Sequence, residues 1–443
     1  MRLAAGCGVR ARWTAPSSGR RAAGRSQIQR VGRQPGCYDP PMSSPSLEQR
    51  LAHLARVVGE TAPLWRPAPF YHPRLPWEAD HPELAAALRA LTDEEIAAYA
   101  ADDAALRAWL ANWLPALGTL EPLLAFPLRD APLPAPADRH APSRDVPGRK
   151  WSQIERFAAA VLSTGPLRAA RIVDWCGGKS HLGRLLAMHS GRPVVLYERD
   201  AALCAQADAL ARRDRVALKA VQGDVLARAD TLPADSQVVA LHACGDLHLH
   251  LLDLAGAASV EHLALSPCCY HRTRHAAWHW RSPAGRASGL VLGREDLRLA
   301  VLESVTSAPR ERAQARARQQ GLLALLGWAQ ASGQPLASVA GLDWRRDEDV
   351  PANLRRLAQA AHLPLPDADE AMHLWTMAAG RAREVRAFEL LRHAIRRPLE
   401  ALLVIDMALG LEAQGYAVSL TAFCPRDLTP RNLLLLARPA GPA

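Results

Sequence analysis

The chain has 443 residues, of which 49% are hydrophobic and 22% charged, with a formal net charge of +10. Such a length accommodates two domains, or one with large insertions, and the apolar share builds a sizeable core, which excludes a disordered or fibrous protein. The basic balance does not mark a nucleic-acid binder: residues 1–41 hold eight arginines and one acid, Asp39, giving +7 and leaving +3 for residues 42–443, so attraction to phosphates must come from a local patch.

Residues 1–41 are rich in Arg and poor in acids, with scattered Gly and Pro, and read as a disordered leader or an over-extended start before Met42. Residues 42–130 carry helical periodicity, beginning with a Ser-capped LEQRLAHLARVV, and predict a small helical domain. Residues 131–149 are Pro-rich and polar and serve as a linker. No apolar run approaches the roughly 18 residues that span a bilayer, and no secretory core is present. The expected partners therefore exclude a membrane, and the expected location is the cytoplasm.

From residue 150 the pattern changes to alternating apolar strands and helices: RIVDW, PVVLYE, VALKAVQ, QVVALHAC and HLALSPC. This alternation predicts a doubly wound α/β sheet that binds ligands beyond the carboxyl ends of its strands. A long helical run follows, with a helical insertion expected over about 290–398. YAVSLTAFC and NLLLLARP then form a terminal hairpin.

The stretch RIVDWCGGKSHLG, Arg171 to Gly183, is a strand ending at an acid and entering a glycine turn before a helix. Gly177 and Gly178 permit close backbone approach to a ligand. A phosphate loop would need glycine where Val173 stands, and the glycine spacing does not fit a dinucleotide fingerprint. Asp174 would repel a pyrophosphate but suits the cationic amino-acid end of S-adenosylmethionine (AdoMet). Glu198 ends the second strand, where such folds place an acid on ribose hydroxyls, and Asp224 follows the third, within reach of an adenine amine. The cofactor set is thus Asp174, Cys176, Gly177, Gly178, Glu198, Asp224, His242 and Ala243.

DWCGGKSHLG, LHACGDL, SPCCYH and CPRDLTPRNLLLLARP together resemble the class I AdoMet-dependent methyltransferases of the methyltransferase-like 25 group. That group is akin to eukaryotic tRNA 2′-O-methyltransferases carrying a Cys-Cys-His-His stretch. The resemblance covers residue 150 to the C-terminus. It implies a Rossmann-like sheet, parallel with a C-terminal antiparallel hairpin, and methyl transfer from AdoMet to an RNA acceptor, with tRNA as one candidate. A protein or small-molecule methyltransferase, and a catalytically silent AdoMet-binding protein, stay open as alternatives. No zinc-finger spacing occurs in residues 42–149.

In-line transfer to a hydroxyl needs a base at the ends of the fourth and fifth strands, where His242, Asp246 and His271 stand. Cys268 and Cys269 are further catalytic candidates, since cytosine-5 methyltransferases use a cysteine after the fifth strand and a second after the fourth, where Cys244 stands. Packing of small residues around the cofactor is the preferred account of these cysteines, and no metal is assigned, because adjacent cysteines rarely reach one tetrahedral ion. Arg426 and Arg431 flank the hairpin turn as substrate candidates.

Overall fold

The computed structural model describes residues 45–133, 146–165, 167–227, 232–258, 260–302, 309–336 and 338–440. The expected leader over 1–41 and the body of the linker, 134–145, lie outside them.

Seven strands form one sheet: β1 (Arg171–Trp175), β2 (Val194–Glu198), β3 (Leu218–Gln222), β4 (Ser236–Cys244), β5 (His262–Cys268), β6 (Tyr416–Ala422) and β7 (Leu433–Pro439), in the order β3-β2-β1-β4-β5-β7-β6. The first five are parallel, and β7 inserts antiparallel between β5 and β6. This is the Rossmann-like arrangement expected from the sequence, with the C-terminal antiparallel hairpin in place. Alternation sorts the strand side chains to opposite faces. Val238, Ala240, Leu263, Leu265, Leu433 and Leu435 point into one apolar cluster, while Val239, Ala264 and Leu434 point into another.

Before the sheet, α1 (Leu47–Glu60), α2 (Ala62–Trp65), α3 (Pro82–Ala90), α4 (Asp93–Ala101), α5 (Asp103–Leu110), α6 (Pro115–Gly118) and α7 (Glu121–Leu124) follow one another. The N-terminus of α1 is set by a capping box in which Ser46 Oγ accepts from the Gln49 N–H and the Gln49 amide returns to the Ser46 N–H. These helices do not enclose a core of their own, as the expectation of a separate small domain would require. Leu51, Leu54, Trp65, Leu88 and Leu110 belong to the same continuous cluster as the sheet residues.

The sheet's helices are α8 (Gly148–Leu162), α9 (His181–Ser190), α10 (Ala201–Arg213) and α11 (Asp246–Ala258). After β5 come α12 (Pro283–Ala287), α13 (Arg294–Leu299), α14 (Pro309–Ala331), α15 (Val350–Ala360) and α16 (Ala368–Glu412). The insertion is outlined differently from the expected 290–398. Leu292, Leu297 and Leu299 join the main core, whereas α14, α15 and the first half of α16 share a separate cluster around Leu325, Trp344, Leu357 and Val385. Helix α16 runs 45 residues without ending at Pro398, a length of roughly 68 Å. Its second half is buried almost all round, from Ala387 to Leu411, against both the sheet and the N-terminal helices. Among the described residues no helix is long and apolar enough to cross a membrane.

Candidate active site

The carboxyl ends of β1 to β5 carry most of the residues singled out in the sequence. The β1–α9 turn is built on three left-handed residues: Cys176 (φ 54°), Gly178 (φ 61°) and Ser180 (φ 53°). Two of these are not glycine, and such backbone persists only where its surroundings enforce it. The enforcing group is Asp174. Its side chain turns inward, 2% exposed, and its Oδ2 accepts from Ser180 Oγ at 2.7 Å and from the Gly183 N–H at 3.1 Å. Burial pushes its carboxyl above the usual range, against the opposing pull of these two donors. Asp174 therefore organises the turn rather than facing a ligand, contrary to the sequence expectation. The need for glycine at 177 has the same origin: a Cβ there would stand 2.4 Å from the Asp174 carboxylate carbon.

Glu198, at the end of β2, is half-buried and crosses to the turn. Its Oε2 accepts from the Gly178 N–H at 3.0 Å and its Oε1 from the N–H groups of Arg199 and Asp200. Asp224 is exposed and caps the 3-10 turn Val225–Ala227, its Oδ1 accepting from Leu226 N at 3.0 Å. The three acids converge electrostatically on one point: burial first, then the charges of Glu198, Asp174 and Asp224, raise the Cys176 thiol to about 12. That edge of the sheet is acidic and rich in acceptors.

On β4 the register slips between Leu241 and Ala243, and His242 sits in the bulge with φ 61°. Its Nε2 lies 3.0 Å from Gln153 Oε1 on α8. The amide orientation is set from the other side, because Gln153 Nε2 donates to Leu428 O at 3.2 Å. Oε1 must then accept, which puts the imidazole proton on Nε2 and leaves Nδ1 as the bare lone pair. Burial, helped by the charges of Arg431 and Lys150, lowers this imidazole to about 4. His242 is thus neutral at pH 7, but a much weaker base than its free pKa suggests. Gln153, the sixth residue of a helix remote in sequence, carries no signal that would have linked it to His242. Ala243 is buried, and its carbonyl accepts from His248 Nδ1 at 3.1 Å.

Asp246 opens α11 and is already engaged. Its Oδ2 accepts from the Arg274 N–H at 2.9 Å, and although burial alone would raise its carboxyl, donation from Thr273 and the Arg274 N–H leaves it below the usual range. Through Oδ2 it fastens the loop after β5. His271 is half-buried, with no hydrogen-bond partner for its buried Nδ1 among the described residues. Arg426 pairs with Asp103 of α5 at 2.8 Å, and Arg431 Nη2 donates to the Val301 carbonyl. Both hold the hairpin turn to neighbouring segments.

The cysteines divide. Cys424 is buried in the apolar cluster with Phe157 and Phe423. Cys244, Cys268 and Cys269 instead bring their Sγ atoms within 4.8 Å of one another. Hydrogen bonding from its two neighbours lowers the Cys269 thiol, while the same contacts raise Cys268.

The sheet order, the glycine turn braced by Asp174, and the acids at the end of β2 and just after β3 meet at the carboxyl edge of the sheet, where folds of this kind bind their ligands. Residues 149–276, which run from the start of α8 past the end of β5, match the family described as a methyltransferase domain, and the carboxyl edge of the sheet that this segment builds is the candidate active site.

Proposed function

We propose that this protein transfers a methyl group from AdoMet to an RNA acceptor by direct in-line displacement, in a reducing, cytoplasmic setting. The observation that carries the cofactor is the convergence of Asp174, Glu198 and Asp224 around the Cys176–Gly178 turn. Acceptor oxygens suit the hydroxyl and amine donors of a nucleoside, and net negative charge suits a cationic sulfonium. Glu198 and Asp224 would hold the ribose and adenine ends, with the turn held open by Asp174. When bound, the sulfonium supplies an activated methyl group with a neutral leaving group. The chain's own part is to orient and to exclude water. Neutral His242 offers Nδ1 as a hydrogen-bond acceptor that can align an acceptor hydroxyl or amine; its low basicity limits it to that.

RNA is favoured by a local feature that net charge conceals. The segment following the Cys268–Cys269 pair, residues 270–298, carries six arginines (272, 274, 281, 286, 294 and 298) against two acids, Glu295 and Asp296. Arg272, Arg274, Arg286, Arg294 and Arg298 are exposed. Exposed arginines in the segment that follows β5 support phosphate contact. The six cysteines of the described residues are all free, which fits a reducing compartment.

Calorimetry with AdoMet should give saturable binding that weakens at least about tenfold in Glu198→Ala. Tritiated-methyl transfer to total RNA should vanish after nuclease. Absence of binding heat refutes the cofactor, and label surviving nuclease but not protease refutes RNA in favour of a protein acceptor.

A further inference from the structure

Three thiols meeting at the ends of two strands are a different matter from small residues lining a cofactor. Cys244 and Cys268 are register partners on the parallel pair β4–β5, with Sγ atoms 3.3 Å apart. Cys269 would ordinarily point to the opposite side of the strand from Cys268. Its left-handed conformation, φ 49°, turns the chain so that its sulfur joins the other two. The turn is stitched in place: the Gly245 N–H donates to Cys268 O at 3.1 Å, the Arg272 N–H to Cys269 O at 2.8 Å, and the Asp246 N–H to Arg272 O at 3.1 Å. The sulfurs are therefore held by backbone hydrogen bonds between two loops, not by the packing of flexible side chains.

We propose that Cys244, Cys268 and Cys269 form a three-thiolate site for a thiophilic divalent cation, zinc first, with the fourth coordination position left to an external ligand. Zinc bonded to sulfur at about 2.3 Å in a tetrahedron places its sulfurs about 3.8 Å apart. The observed trio, all within 4.8 Å and one pair at 3.3 Å, brackets that spacing, so binding needs side-chain adjustment and no backbone movement. Cys268 is buried, while Cys244 and Cys269 are half-buried and leave the trio reachable from their side. Three thiolates on a dication leave one net negative charge, and the Arg272 guanidinium acts electrostatically on both Cys244 and Cys269. His271 is not among the atoms that fall within 4.8 Å of one another, so the described residues supply three ligands. That count leaves an open position, as in zinc sites that receive a substrate atom, rather than the closed four-ligand set of structural zinc. In the metal-free protein, Cys244 and Cys268 donate to the His242 carbonyl at 3.4 and 3.3 Å; cation binding would release those protons.

The test uses the full chain, expressed with zinc and purified under reducing conditions without chelator. Metal analysis by atomic emission should find about one zinc per chain. Cys244→Ser, Cys268→Ser and Cys269→Ser should each fall about tenfold in zinc content, while Cys204→Ser keeps it. After chelation, titration with cobalt should raise a thiolate-to-cobalt charge-transfer band in the wild type, with zinc displacing it. If a serine variant fails to fold, the wild-type cobalt titration decides alone. Absence of both zinc and the cobalt band in reduced wild type overturns the proposal. So does a Cys244–Cys268 disulfide, read as a mass lower by two hydrogens in the linked peptides that carry these two residues. None of these readouts depends on AdoMet binding or methyl transfer.

Discussion

Gly177→Ala and Gly178→Ala differ by one residue and should differ several-fold in cost. A Cβ at 178 meets open space, and only the φ of 61° penalises it, which amounts to about 1–2 kcal/mol for a left-handed residue. A Cβ at 177 would lie 2.4 Å from Asp174 Cγ and Oδ1 and 2.5 Å from Oδ2. The carboxylate cannot retreat without releasing Ser180 Oγ and the Gly183 N–H. Hydrogen bonds to a charged group contribute about 1.5–3 kcal/mol each, so Gly177→Ala should cost roughly 3–5 kcal/mol. Any loss of unfolded-state entropy is common to both substitutions and cancels. Urea denaturation of each variant measures the difference, with AdoMet calorimetry as a second readout. The source of the cost is checked by a double-mutant cycle: in an Asp174→Ala background, where the obstructing carboxylate is gone, Gly177→Ala should cost no more than about 1 kcal/mol. Equal destabilisation by Gly177→Ala and Gly178→Ala, or no coupling between 174 and 177, would refute the role given to Asp174.

Asp406 on α16 is fully buried and accepts from Trp278 Nε1, the Arg281 and Ser282 N–H groups and Ser282 Oγ. Asp406→Ala should therefore lower stability by roughly 3–5 kcal/mol in denaturant melts, because four donors lose their acceptor; a change under about 1 kcal/mol would show that the clamp is dispensable. His248 is buried, with Nδ1 bound to the Ala243 carbonyl and Nε2 without a partner among the described residues, and burial lowers its pKa from 6.5 to about 4. The unfolded chain then binds the proton more readily, so stability should be full above pH 6.5 and fall by roughly 1.4 kcal/mol per pH unit below it. The slope of urea midpoint against pH should flatten in His248→Phe, and an unchanged slope would remove His248 from the acid response. Arg426→Ala should reduce stability by about 1–2 kcal/mol through loss of the partly buried pair with Asp103 and leave RNA affinity within twofold or so. A large affinity loss with stability intact would return Arg426 to the substrate contacts read from the sequence.

What the amino-acid order determines by itself is local and periodic. Apolar runs of strand length alternating with helices determine five parallel strands and a terminal hairpin, and acids at the ends of β1 and β2 and just after β3 mark one edge as the candidate site, because ligands in such folds bind where the strands stop. The glycine turn is legible for the same reason: few residues adopt its backbone. Tertiary structure alone decides which way those groups face. Asp174 looks like a ligand contact in the sequence, yet close approach of the backbone at Gly177 and Gly183 directs it into the turn. Gln153 lies 89 residues from His242, and the pairing that fixes the imidazole tautomer exists only once α8 has packed on the sheet. Pro398 suggests a break, but the burial of the neighbouring residues on α16 stabilises a continuous helix beyond the hydrogen bond that proline removes. The N-terminal helices have local periodicity but no core until α16 and the sheet supply the other half. The cysteines depend most on the fold. Their spacing in the chain argues against a shared ion, whereas the register of β4 on β5 and the left-handed turn at Cys269 place three sulfurs together, a juxtaposition that arises from long-range pairing and so has no local signature.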